Sequence, residues 1–480
     1  MIPAETCASI RELWLKRHFP IALPWDLPKI LKCLLAASTL IPCFWTARIQ
    51  AGDLSSHVYN SWLAQLIRQG RAPGIVIVPQ YSNVLFDWML DALPHRIAVA
   101  LAVLIFAGGA FSFVSRFSRL RPWHLLPIIA VLAYGWVFRM GFFNFYLSLG
   151  ICLWALALAW DRRGRIAWIA APLLAVAWLA HLLPVIWTVA AILYPLAARR
   201  WHWTPWAALA AILAADAAIR IATDAHWFSE QLYVLTGADQ AYIYNGRYAW
   251  PVTGLLLLFL WLLWRFVRAE GWQKLSGSLL FQLTVLSGAA IAILPTAITS
   301  PGFHAAFLAN RMSLAVAVCL CALVAAVEVR TIEWFAAALV AALFFGLSYI
   351  DERQLNALED QFDAVVSTLP AGSRVVNALY DPTLHVDAVV HMIDRACVGH
   401  CYSFANYEAG TRDFRIRALA PNTFVAATYL TSWQLQQGRY TVQPADLPLY
   451  VIDLDGALHT VARPTLEGPL RGLTPITALY

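Results

Sequence analysis

HRIAVALAVLIFAGGAFSFVS, residues 95–115, decides the solvent in which this chain folds. Between Ile97 and Val114 it carries no charged residue. A helix needs about 20 predominantly apolar residues to cross a hydrocarbon core of about 30 Å. Working outward, apolar runs of similar length recur at 29–47, 124–139, 141–160, 165–181, 183–198, 204–221, 250–268, 277–297, 312–328 and 334–350. The expected fold is therefore an all-α polytopic membrane bundle of about eleven spans. The junctions at Arg139–Gly141 and His181–Pro184 are tight enough to be bends, which gives a range of about nine to twelve.

Composition agrees. The 480 residues are 60% hydrophobic and 13% charged, where soluble domains carry about 25% charged residues. Tryptophan collects at the ends of the runs, as at Trp201, Trp203, Trp206, Trp250 and Trp272, the pattern of an interfacial belt. The net charge of +6 is scattered, so no nucleic-acid partner is expected. Membrane lipids are. The first run starts only near Ile30, and it reads as an uncleaved first span rather than a signal peptide.

Basic residues orient the bundle. With the N-terminus inside, the inner segments hold 17 Lys and Arg. These are Arg11, Lys16, Arg17, Lys29, Lys32, Arg116, Arg119, Arg121, Arg162, Arg163, Arg165, Arg199, Arg200, Arg265, Arg268, Lys274 and Arg330. The outer loops hold eight, a bias that fits the positive-inside rule. The expected location is a bacterial inner membrane, with the N-terminus cytoplasmic and the C-terminal region periplasmic. Residues 1–350 form the membrane part, and its first outer loop covers 48–94. Within that loop, His57–Gln69 and Asn83–Leu93 have the spacing of amphipathic helices, the first suited to lie on a membrane surface. Residues 351–480 read as a soluble α/β domain. It has a charged helix at Asp351–Leu369 and strands at Arg374–Leu379, Thr423–Leu430 and Pro448–Asp453, with turn signals at Pro370–Gly372 and Asp455-Gly456.

The densest chemistry follows the first span: Gly52-Asp53-Leu54-Ser55-Ser56-His57. If Ser55 or Ser56 caps the helix, Asp53 sits beside its positive end. A carboxylate there could take a proton from a hydroxyl; it could equally be a residue that only starts the helix. Asp87 and Asp91 are secondary acids of the same loop. Ionisable and polar groups near the outer span ends are functional candidates because charge near hydrocarbon is costly. Arg139, Arg220, Arg247 and Arg311 could grip a phosphate bidentately or snorkel to head groups. Asp216 could simply pair with Arg220. Asn144, His181, His304 and Tyr244 could line a pocket, and the tyrosines around Tyr244 could wall a sugar or anchor at the interface. In the tail, Cys397 and Cys401 read as a disulfide more simply than as zinc ligands. The polar run from His391 to Glu408 looks like a binding surface.

One helix out of the cytoplasm, an acidic motif, then a long outer loop with two helices: this arrangement resembles the GT-C superfamily of integral-membrane glycosyltransferases, which use polyprenyl-phosphate sugars. Bacterial membrane proteins of this kind share segments similar to Gly141-Phe142-Phe143-Asn144-Phe145 and His181–Pro184. The resemblance implies Asp53 as catalytic base, with His57 and Asp87 beside it. It implies Arg139, Arg220, Arg247 and Arg311 at the donor phosphate. The partners it implies are a polyprenyl-phosphate sugar and a glycan, lipid or protein acceptor. The first loop has no Asp-x-Asp, so neither a divalent metal nor any other cofactor is expected. The alternative is a non-enzymatic envelope assembly or transport protein whose tail binds partners.

Overall fold

A computed structural model describes residues 29–118, 122–160, 165–300, 303–419, 422–455 and 459–476. Of the inner basic residues, Arg11, Lys16, Arg17, Arg119, Arg121, Arg162 and Arg163 lie outside these, as do Cys7, Trp25 and Gly456. The chain divides into two units, Met1–Ile41 and Pro42–Tyr480. The first contributes α1 (Lys29–Ser38). Everything below concerns the second.

Its helices follow the apolar pattern. The first outer loop supplies α2 (Leu54–Arg68) and α3 (Leu85–Ala92). Then come α4 (His95–Ser115), α5 (Leu126–Ala133), α6 (Trp136–Met140), α7 (Phe143–Ala159), α8 (Arg165–Ala180), α9 (Leu182–Ala198) and α10 (Thr204–Ala222). They are followed by α11 (Ala249–Glu270), the short α12 (Trp272–Ser276), α13 (Leu279–Ile293), α14 (Leu308–Val324) and α15 (Thr331–Val366). Among the described residues, five stretches are long and apolar enough to cross a membrane: His95–Ser115, Trp123–Met140, Thr204–Ala222, Gly246–Glu270 and Thr331–Val366. Six shorter apolar helices of 10–17 residues accompany them. Both tight junctions are true breaks. Gly141 takes the left-handed conformation (φ +84°) after α6, the usual way a glycine ends a helix. His181 is extended, and its side chain accepts the Leu183 amide to cap α9. In α10 only Thr204 is buried, so its apolar surface is left for lipid.

The charged helix expected at Asp351–Leu369 is the continuation of the last span. α15 runs 36 residues without interruption, about 54 Å at 1.5 Å per residue. Its acidic half is tied down by arginines from four places. Arg247 meets Asp351, Arg139 meets Glu352, Arg395 meets Glu359, and Arg48 meets Asp360 and Asp363.

Among the described residues the strands fall outside the apolar runs, apart from Ala297 at the end of one. They include β1 (Ile75–Ile77), β2 (Asp224–His226), β3 (Ala297–Ser300), β4 (Phe303–Ala305), β5 (Arg374–Asn377), β6 (Tyr402–Ser403), β7 (Ile416–Ala418), β8 (Leu449–Leu454) and β9 (Thr460–Pro464). A four-stranded sheet of order β9-β8-β5-β6 organises the C-terminal region. β8 and β6 both run parallel to β5, and parallel neighbours need crossovers. α16 (Met392–Ala396) and α17 (Tyr429–Gln436) lie in these crossovers. Val376, Phe404, Ala426, Leu435 and Leu449 pack as the core of this region. The expected strand at Thr423–Leu430 is absent. Thr428 instead accepts the Thr431 amide at 3.2 Å and starts α17; local capping overrides the β-branched composition.

The first loop, the loops near 224 and 297 and the tail are joined by strand pairs and ion pairs. β1 of the first loop pairs antiparallel with β7 of the tail, Val76 opposite Arg417. Arg415 grips Asp91 through two bonds of 2.6 and 2.8 Å. β2 pairs with β3, joining the loops near 224 and 297. The apolar face of α2 is not laid against lipid. Tyr59 and Leu63 are wholly buried, α16 and α3 pack on the helix, and Tyr59 accepts the Ser403 amide. The first loop and the tail therefore occupy the same side.

Candidate functional site

Two glycines bring the sequence motifs together. The amides of Gly52 and Asp53 donate to the carbonyls of Arg139 and Met140 at 2.8 and 2.9 Å. A Cβ on Gly141 would lie 2.5 Å from the Asp53 nitrogen. A Cβ on Gly52 would lie 2.9 Å from the Asp387 carbonyl oxygen. Only glycine permits these approaches. Asp53 takes the N-cap position of α2 without a side-chain cap bond, and neither Ser55 nor Ser56 caps the helix. Its carboxylate is therefore left over. It keeps 17% exposure and faces His391 Nε2 at 3.6 Å.

His391 is held from behind. Its Nδ1 lies 3.0 Å from Asp394, which also accepts from Ser403 and, at 3.2 Å, from Asn406. Burial opposes its charge, but Asp394, Asp53 and Asp387 outweigh that and push it up to about 9. A second buried knot lies one helical turn along α2. His57 Nδ1 is 3.1 Å from Asp87 and 3.6 Å from Glu408. Ser56 donates to Glu408 at 3.1 Å, and Asn406 donates to Ser56 at 2.9 Å. Burial resists the charge on His57, yet the Asp87 hydrogen bond and the two carboxylates raise it to about 9. Burial pushes Glu408 up to about 7.

His391 has a pKa of about 9 in the fold and about 6.5 unfolded. Its stabilisation is fully present below about pH 6.5 and is lost as pH rises through 9, on the order of 3 kcal/mol in all. Unfolding midpoints measured from pH 6 to 10 should fall across that window, and His391→Gln should flatten the fall. An unchanged profile in that variant would remove His391 as its source.

The remaining candidates separate. Arg311, at the start of α14, stacks on Phe142 with its guanidinium carbon 3.8 Å from the ring centroid. Its Nε is buried and has no hydrogen-bond partner among the described residues. Its charge and that of Asp53 act on one another. Arg139 is wholly buried and donates to Glu352, Ser348 and the Gln50 carbonyl. Arg247 holds Asp351. Arg220 is exposed and pairs with Asp216 one turn away. Such a pair is worth little, so Arg220→Ala should change the unfolding free energy by less than about 0.5 kcal/mol.

Asn144 acts on the loop: it accepts the Phe86 amide at 2.9 Å, next to Asp87. His181 packs edge-on against Phe145. His304 meets Thr299 and lies over Tyr429, away from Asp53's immediate contacts. Tyr244 and Tyr248 are buried, while Tyr233 and Trp250 are exposed. Cys397 and Cys401 form a disulfide. Among the described residues no group of three metal-ligating side chains converges.

No family model, curated protein or solved structure matches this chain. The site must therefore be read from its own geometry. Asp53, Arg311 and His391 come from the first outer loop, the start of α14 and the tail. His391, Asp394 and Glu408 lie within a polar run visible in the sequence, but their approach to Asp53 and His57 spans more than 300 residues. Spacing carries no signal for it.

Proposed function

We propose that this chain is a membrane glycosyltransferase of GT-C architecture. Its five long and six shorter apolar helices are then eleven spans, and the end carrying Asp53 lies outside the cytoplasm. It moves a sugar from a polyprenyl-phosphate donor to an extracytoplasmic hydroxyl acceptor. The observation that carries this reading is a partly exposed carboxylate, faced by His391 alone at 3.6 Å, and an arginine without an acid of its own. Arg139, Arg220 and Arg247 each hold an acid within ion-pair distance, whereas Arg311 makes no such pair among the described residues and leaves its buried Nε without a partner. A guanidinium in that condition suits a phosphate oxygen.

In the proposed reaction the acceptor oxygen attacks the anomeric carbon. The bond from that carbon to the phosphate oxygen breaks, polyprenyl phosphate leaves, and Asp53 takes the acceptor proton. Direct displacement inverts the anomeric centre. Arg311 steadies the charge growing on the departing phosphate. His391, cationic and 3.6 Å away, orients the Asp53 carboxylate and is a positioning residue. His57 and Asp87 position α2 against α3.

Mass spectrometry of envelope glycans and glycolipids tests this in a deletion strain. Loss of one glycosylated product, restored by the wild-type chain, is expected. An unchanged envelope would overturn the transferase reading and favour the assembly factor. Labelling a cysteine placed at exposed Arg71 with a membrane-impermeant maleimide tests the orientation. Reaction only after the cytoplasmic face is opened would overturn it.

A further inference from the structure

The C-terminal region encloses a cavity of about 500 Å³, a size that suits a small organic ligand. Its polar lining includes Asn377, Asp381, Asp387, Asp394, Gln436 and Arg439. The cavity adjoins the site already described. Asp394 is the carboxylate behind His391, and His391 reaches Asp53 through its other nitrogen. The Asp387 carbonyl rests against Gly52. Only the segment 387–394 separates the cavity from Asp53.

Two features fix the chemistry it accepts. Asp381 and Asp387 outnumber the one guanidinium, the third carboxylate, Asp394, being paired with His391, so the lining disfavours anions. One oxygen of Asp381 accepts from Thr383, while the other is buried and has no partner among the described residues. That oxygen has no exposed surface, so a turn of the Asp381 side chain would be needed to present it to a ligand hydroxyl or ammonium, which would relieve a costly unpaired acceptor. Carboxylates, amides and a guanidinium together can pair with the closely spaced hydroxyls of a sugar ring.

We propose that this cavity binds the acceptor, a non-anionic polyhydroxylated ring that donates to Asp381 and Asp387. One of its hydroxyls points past residue 387 toward Asp53. The word acceptor rests on the transferase reading; the binding itself does not. The two substrates are then sorted by charge, the lipid phosphate to Arg311 and the uncharged or amine-bearing ring to the acidic cavity.

Saturation-transfer NMR on the full chain in lipid nanodiscs tests this, with methyl β-glucoside, glucosamine and glucose 6-phosphate as probes. The first two should bind, and the phosphate ester should bind at least tenfold more weakly. Asp381→Asn keeps the acceptor for Thr383 and should weaken binding at least tenfold. Arg439→Met should also weaken it, and it decides alone if the first variant fails to fold by gel filtration. Absence of binding by the wild-type chain, indifference to a folded cavity variant, or preference for the phosphate ester would each overturn the proposal. Asp53→Asn should bind the probes normally. Probe binding by the wild-type chain together with an unchanged envelope in the deletion strain leaves the cavity standing without the transferase. Loss of product in that variant without any probe binding leaves the transferase standing without the cavity.

Discussion

Replacing Asp53 by Asn should lower transfer by about 10²- to 10⁴-fold, the span a positioned general base supplies, while the chain folds as before. The second half of that expectation comes from the local geometry. The Asp53 amide, not its side chain, is bonded to Met140. The carboxylate caps nothing in α2. An amide of the same shape removes one charge opposite His391 and leaves the packing alone, so the unfolding midpoint should move little. The measurement pairs glycan complementation in the deletion strain with thermal unfolding of the purified variant. Full complementation would remove Asp53 from the mechanism. Lost complementation together with a large fall in midpoint would make Asp53 a structural residue. Gly141→Ala offers a contrast. Its Cβ would press on the Asp53 backbone, so activity and midpoint should fall together.

The helical pattern was legible because lipid solvent imposes a simple rule: an apolar run of a given length is a helix. The breaks at Gly141 and His181 fall where the sequence placed tight junctions. α15 escaped because its second half is charged, and charge reads as a new domain. The helix instead continues because Glu352, Asp351 and Glu359 each find an arginine from another part of the chain. The tail was harder for a related reason. Thr423–Leu430 has strand composition, and nothing local announces that Thr428 will cap a helix. At the site, Asp53 stood out by its neighbours alone. Arg311 did not stand out from Arg139, Arg220 and Arg247, since all four sit near the ends of apolar runs. What separates them is whether an acid lies across from them in space. For Arg139 that acid is 213 residues away.

That acid gives the other large expected effect. Arg139 and Glu352 retain 1% and 0% side-chain exposure and meet at 2.6 Å. Glu352 also accepts from Trp45 at 3.1 Å and Ser348 at 2.9 Å. Removing one partner of such a pair leaves a buried charge without compensation, at a cost of about 3–5 kcal/mol. Glu352→Ala should therefore destabilise the chain by that amount, read as a lower denaturant midpoint in mild detergent. The double variant Arg139→Met with Glu352→Leu should recover much of the loss, because a well-packed apolar pair is often neutral or better. Function should not recover with it. The Arg139 carbonyl receives the Gly52 amide, and its guanidinium holds the Gln50 carbonyl, so the pair also fixes the strand of chain that delivers Asp53. Arg139 and Glu352 thus join the junction at Gly141, the approach to α2 and the acidic half of α15. A double variant that regains both stability and glycan complementation would show that the backbone contacts alone hold Asp53 in place. A single variant with an unchanged midpoint would show that α15 needs no ion pair to connect the membrane helices with the outer region.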